Sequence, residues 1–278
     1  MWTLAATFNG IAYVMTTLWK IMKRDEMTAS EKVAVKSAQK ASFGKVFAVQ
    51  IAAYVVLVVL ALIPGISYGN AEEPAIVSFT VVASVAMIAL LAVFNPFRDG
   101  VAGHAISVIA GLLSVVCATT MMLGRAIFPA GLGDEDTFWM QEGWIVGVGG
   151  LLILLIVVSF GRQMARENRT HLIRSLSHNV VEGVAMIGSA GWCFLSTLLP
   201  IRSGENAAST DYGSTTAWAV AVIVALLLII ALDACSYWWN RDADPDPQSK
   251  NPWIGIALLP VMISGIVVGI ASYATVMF

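Results

Sequence analysis

Two carboxylic acids, Glu182 and Asp233, fall inside long apolar runs of this 278-residue sequence. Ionisable groups in such runs are costly to bury, which makes them the first candidates for chemistry. The sixteen other acids lie in polar segments or at their edges. His178 and Asn179 precede Glu182 by about one helical turn, so a helix places all three on one face. Asp233 stands about two turns before Arg241, and Asn95 lies just ahead of Pro96, Arg98 and Asp99. His104 and Gln50 sit near the starts of two further apolar runs. Together these residues predict a polar cluster at one mouth of a helix bundle. Glu182, Asp233, His178 and Asn95 are the candidates for a proton or ion relay lining a water-filled vestibule. Low dielectric disfavours the charged form of an acid, which suits reversible protonation. A structural role competes with the relay. Asp233 would then bond a Trp or Tyr hydrogen, or pair with Arg98, and Glu182 would pair with an arginine of segment 162–174.

Other chemistries find less support. The three histidines, His104, His171 and His178, all map to one side of the membrane and near its edge, whereas haem ligation inside a bundle needs facing histidines at matching depth. Zinc lacks an HExxH spacing and clustered cysteines. Cys117, Cys193 and Cys235 sit singly in apolar runs and read as small buried hydrophobes. No metal and no cofactor are expected. Walker, GxSxG and rhodopsin-type lysine signatures are missing from the sequence. A cluster of His178, Glu182 and Asp233 is the one constellation that an intramembrane enzyme acting on lipid would have at its disposal.

These groups need helices to position them, and the composition says in what solvent. The sequence is 58% hydrophobic and 12% charged, with a mean hydropathy of +0.79. Soluble domains carry about 25% charged residues. The predicted fold is therefore an all-α, polytopic transmembrane helix bundle whose main partner is the lipid bilayer. No basic block points to nucleic acid. Seven windows reach the length of about 20 apolar residues that a spanning helix needs: 46–64, 76–96, 103–124, 143–161, 178–200, 215–237 and 253–275. Pro260 falls inside the last window and is a hinge candidate, because proline frees a carbonyl one turn back. Gly143 with Gly147, and Gly265 with Gly269, have the GxxxG spacing that lets helices approach closely. That approach serves packing within the chain, self-association or contact with other membrane subunits.

Orientation follows from Lys and Arg. With the N-terminal region inside, 14 of the 16 basic residues face the cytoplasm, and only Arg125 and Arg202 face out. Seven spans then leave the C-terminus outside. Short loops point to a bacterial inner membrane. Residues 1–45 read as an amphipathic, interfacial helix and a charged cytoplasmic helix ahead of the bundle at 46–278. An eighth span within residues 1–22 is the alternative. Two readings of function lead: a transporter- or channel-like subunit moving a solute or ion, and a non-catalytic scaffold subunit of a larger secretion, conjugation or respiratory assembly.

Overall fold

The computed structural model describes residues 43–63, 66–68, 75–77, 79–97, 100–120, 140–165, 172–199, 215–242 and 251–277. The expected interfacial helix, and with it the choice between seven and eight spans, lies outside the described residues. The elements in chain order are α1 (Phe43–Ala61), β1 (Ile66–Tyr68), β2 (Ala75–Val77), α2 (Phe79–Val93), α3 (Gly100–Thr119), α4 (Met140–Met164), α5 (Leu172–Ser189), α6 (Thr215–Asp242) and α7 (Pro252–Met277). Beyond Ser189 the α5 rod continues through a 3-10 segment, Ala190–Phe194, into one last turn at Leu195–Leu198.

Lipid offers a backbone no hydrogen bonds, so spanning segments satisfy themselves as helices. Among the described residues six stretches are long and apolar enough to cross: Gly44–Ala61, Ala102–Thr119, Met140–Met164, Leu176–Leu198, Trp218–Ser236 and Pro252–Thr275. The protein is therefore a multi-pass integral membrane protein. The second window, 76–96, differs from its expectation. Its start is strand, with Ile66, Ser67 and Tyr68 pairing antiparallel with Val77, Ile76 and Ala75. The β-branched Ile76 and Val77 suit this pairing. Helix is left only from Phe79 to Val93. Fifteen residues rise roughly 22 Å, short of a hydrocarbon core of about 30 Å.

Two helices form the centre. The α5 and α7 spans are each 72% buried, whereas the α6 span is 11% buried and the α1 span 22%. Helices α3 and α4 pack around α5, while α6 and α1 pack on α7. Lipid meets the rest: Ile51, Val55 and Val59 on α1, and Val220, Ile223, Leu227 and Ile230 on α6, are all exposed.

Glycine makes the central contact. A Cβ added to Gly191 or Gly265 would run into the backbone of the opposite rod, at Gly265 and Gly188 respectively. A Cβ on Gly188 would lie 2.9 Å from the Met262 carbonyl oxygen. Gly269 lies instead against the Trp144 ring of α4. Gly143 and Gly147 lie on the buried face of α4 beside Trp144 and Val148.

Polar side chains tie the packed rods together. Trp144 Nε1 donates to Ser114 Oγ at 3.1 Å, and Ser114 Oγ donates to the Ile187 carbonyl at 2.8 Å. Three helices, α4, α3 and α5, are joined by that relay. Ser84 Oγ of α2 donates to the Ser189 carbonyl at 2.9 Å, where α-helix tightens to 3-10. Trp192 Nε1 donates to the Val261 carbonyl at 2.7 Å, one residue after the buried Pro260. Helix α7 nevertheless runs unbroken from Pro252 to Met277 with Pro260 inside it.

This packing carries a prediction. Gly265→Ala pushes a methyl into rigid backbone and lowers stability by about 1–3 kcal/mol. Gly149 has open space around its Cα, so Gly149→Ala stays within about 0.5 kcal/mol of the parent. Thermal unfolding of both variants in one detergent checks this. Equal melting points would contradict the close α5–α7 contact.

Candidate functional site

Glu182 lies six residues past Leu176, roughly 9 Å into the α5 span. It is fully buried, at 0% exposure. Its Oε1 is met by two nitrogens from two other elements. Asn95 Nδ2, from the segment after α2, donates to it at 3.1 Å. His104 Nδ1, near the start of α3, is in direct contact with the same oxygen. Asn95 Nδ2 and His104 Nδ1 are themselves 2.8 Å apart. Glu182 Oε2 is buried and has no hydrogen-bond partner among the described residues.

The Asn95 amide is oriented by its own backbone. The Phe97 N–H donates to Asn95 Oδ1 at 2.8 Å, an Asx-type turn. The carbonyl side of the amide is thereby used locally, and the NH2 side faces Glu182. Pro96 is buried next to it and stops α2 from continuing. Helix α7 clamps the same segment: a Cβ on Gly255 would collide with the Phe94 carbonyl oxygen and sit 2.7 Å from Pro96 Cδ. The turn is thus held from one side by α7 and from the other by α3 and α5.

A second polar layer lies beside the first. Asn179 Nδ2, on α5, donates to Ser159 Oγ of α4 at 2.6 Å. Ser107 Oγ of α3 lies 3.4 Å from Asn179 Oδ1 and donates to the Gly103 carbonyl at 3.3 Å. Arg162 of α4 presses its Nη1 on Gly103, where a side chain would clash with it and with Asn179 Oδ1. Gln163 is buried one residue on. All of this sits at the end of the bundle that holds Asn95 and His104.

Asp233 is held elsewhere. Tyr54 Oη of α1 donates to Asp233 Oδ1 of α6 at 2.9 Å and lies 3.4 Å from Ser264 Oγ of α7. The Tyr54 ring packs edge-on against Trp192, centroids 5.7 Å apart. Tyr54 is ten residues past Gly44 and Ser264 twelve past Pro252, roughly 15 and 18 Å along their helices. One turn before Tyr54 lies Gln50, buried, with neither side-chain polar atom partnered among the described residues.

The expected residues thus fall into two groups. Glu182 and Asn95 meet each other, with His104 as their third member. Asp233 joins a tyrosine, Tyr54, the residue type anticipated for a structural partner though its position was not, and the Arg98 pairing lies outside the described residues. His178 shares the α5 face with Glu182, but its ring stacks on Phe97, with centroids 5.0 Å apart. Among the described residues Glu182 is met by Asn95 and His104, Asp233 by Tyr54, and the His178 ring by Phe97. Tyr54 as an acid's partner escaped sequence reasoning, because a lone tyrosine in an apolar run carries no periodic signal.

The Tyr54–Asp233 bond has a measurable strength. Tyr54→Phe and Asp233→Asn, combined in a double-mutant cycle, should show coupling of about 0.5–3 kcal/mol in unfolding free energy. Additive effects would mean that the pair does not interact. Among the described residues no three His, Cys, Asp or Glu side chains gather as a metal site. No protein-family model, curated protein or solved structure matches this chain.

Proposed function

We propose that this protein moves a solute or ion across its membrane, as a transporter or channel-like subunit, with Glu182 as its charge-handling residue. One observation carries the reading. A carboxyl at 0% exposure, inside an apolar span, meets nitrogens from two other elements, and its second oxygen is unpartnered among the described residues. A charge or a free acceptor in such a place is expensive to keep for packing alone. Replacement by an apolar residue would often be neutral or better. The Lys and Arg distribution supports a cytoplasmic position for the Asn95–His104 end, and the short loops support an inner membrane. The tight glycine contact between α5 and α7 fits a closed state in which the far half of the bundle is sealed.

A second reading, a scaffold subunit of a larger membrane complex, rests on a different observation. The α6 span is only 11% buried, and it exposes a broad aliphatic face. Lipid covers such a face, and so does another membrane subunit.

The test is charge movement by the purified chain in proteoliposomes on a solid-supported membrane. Concentration jumps of protons, sodium, potassium and a panel of small solutes supply the driving force. Transport predicts a transient for at least one of these, lost in Glu182→Gln and retained in Gly149→Ala. Silence toward every jump, with stoichiometric foreign subunits in native mass spectrometry, would replace transport by the scaffold role.

A further inference from the structure

The chemistry around Glu182 narrows what the site handles. Hard cations are held by rings of oxygen ligands. The groups aimed at Glu182 Oε1 are nitrogens: Asn95 Nδ2 and His104 Nδ1. Asn95 has an oxygen, but the Phe97 N–H occupies it from the other side. Turning the amide over to offer oxygen would break that bond, set the Nδ2 donor against the Phe97 N–H, and set Oδ1 against Glu182 Oε1, acceptor to acceptor. The site presents nitrogens to a carboxyl group: the Asn95 amide donates, and His104 Nδ1 donates or accepts according to its tautomer.

We infer that the ion bound at this site is a proton, held between Glu182 Oε1 and His104 Nδ1, and not a metal cation. This deepens the transport reading and rests on it for its purpose, though not for its chemistry. The contact has two forms. In one, the carboxylate accepts the Nδ1–H of His104. In the other, the proton has crossed to Oε1 and Nδ1 accepts it back. Exposure gives the pair a direction: the His104 side chain is 26% exposed and that of Glu182 is 0%. A proton taken up at His104 Nε2 releases the Nδ1 proton to Glu182 Oε1. The imidazole ends neutral in its other tautomer, and the carboxylate ends as the acid. Histidine is the side chain suited to such a shuttle.

Among the described residues the neighbouring charges are few. His104 faces Glu182 from α3. From α4 comes Arg162, on Gly103 beside His104. On α5 itself His178 lies one turn away, against Phe97. Asn95 after α2 is uncharged, and the first turn of α7, Pro252–Ile256, holds no titratable side chain.

Infrared difference spectroscopy on the full-length protein in lipid bilayers tests the assignment. Acidification should raise a protonated-carboxyl band that Glu182→Gln removes, and His104→Ala should change the pH at which it grows in. A titration of the wild-type chain with sodium, against choline at constant pH, should leave the band untouched, and this arm needs no variant to fold. A band that survives Glu182→Gln would overturn the proposal, as would sodium bleaching it in competition with protons. Absence of charge movement with a normal Glu182 band would sink the transport reading alone. Charge movement with sodium competition would sink the proton assignment alone.

Discussion

The distance between α5 and α7 governs the rest of the bundle. At Gly188, Gly191 and Gly265 the two rods touch through backbone, with no room for a side chain on either. Lipid chains are as apolar as leucine, so water-driven burial does little to bring spanning helices together. Close packing and internal hydrogen bonds must do it. Glycine allows the approach, and the approach brings Trp192 Nε1 within 2.7 Å of the Val261 carbonyl. Trp144 then fills the space beside Gly269, and its indole N–H reaches Ser114, which in turn caps Ile187. The outer helices dock on a pair already set.

The same constraint sorts the polar residues. In a medium without water, each polar group has to find its partner within the protein. Most do so through short serine and threonine bonds to carbonyls of their own or a neighbouring helix. Those bonds are local and need no special geometry. Glu182 departs from that pattern. Its partners come from two separate elements, and one of them is itself oriented by a turn that α7 clamps. Such a supported arrangement keeps the Glu182–His104 contact in register while the surrounding helices pack for stability.

Much of this was legible in advance, and the limits have physical causes. Apolar windows located the helices to within a few residues, because twenty apolar residues in a row have few alternatives. Similar depth alone grouped Glu182, Asp233, His178, Asn95, His104 and Gln50 into one polar mouth, and depth cannot say which of them meet: Glu182, Asn95 and His104 do, whereas Asp233 bonds Tyr54. The hairpin was not visible, since three-residue strands carry no measurable alternation. His178 shows where spacing stops helping: a turn's separation fixes the face it shares with Glu182, but only tertiary structure decides that Phe97 stands before it. Gly188 and Gly191 were hidden for a similar reason. They are three apart, outside the GxxxG spacing, and become readable only when Gly265 is seen opposite them.

The claim that everything functional here depends on is that Glu182 and His104 form one hydrogen-bonded pair inside the membrane. Solid-state NMR on isotope-labelled, full-length protein in lipid bilayers measures that directly, through a carbon–nitrogen correlation between Glu182 Cδ and His104 Nδ1. A cross-peak between the two, with the Nδ1 shift responding to Glu182→Gln, is the predicted result. A resolved His104 Nδ1 that correlates with water and not with Glu182, and that ignores the Gln substitution, would contradict it.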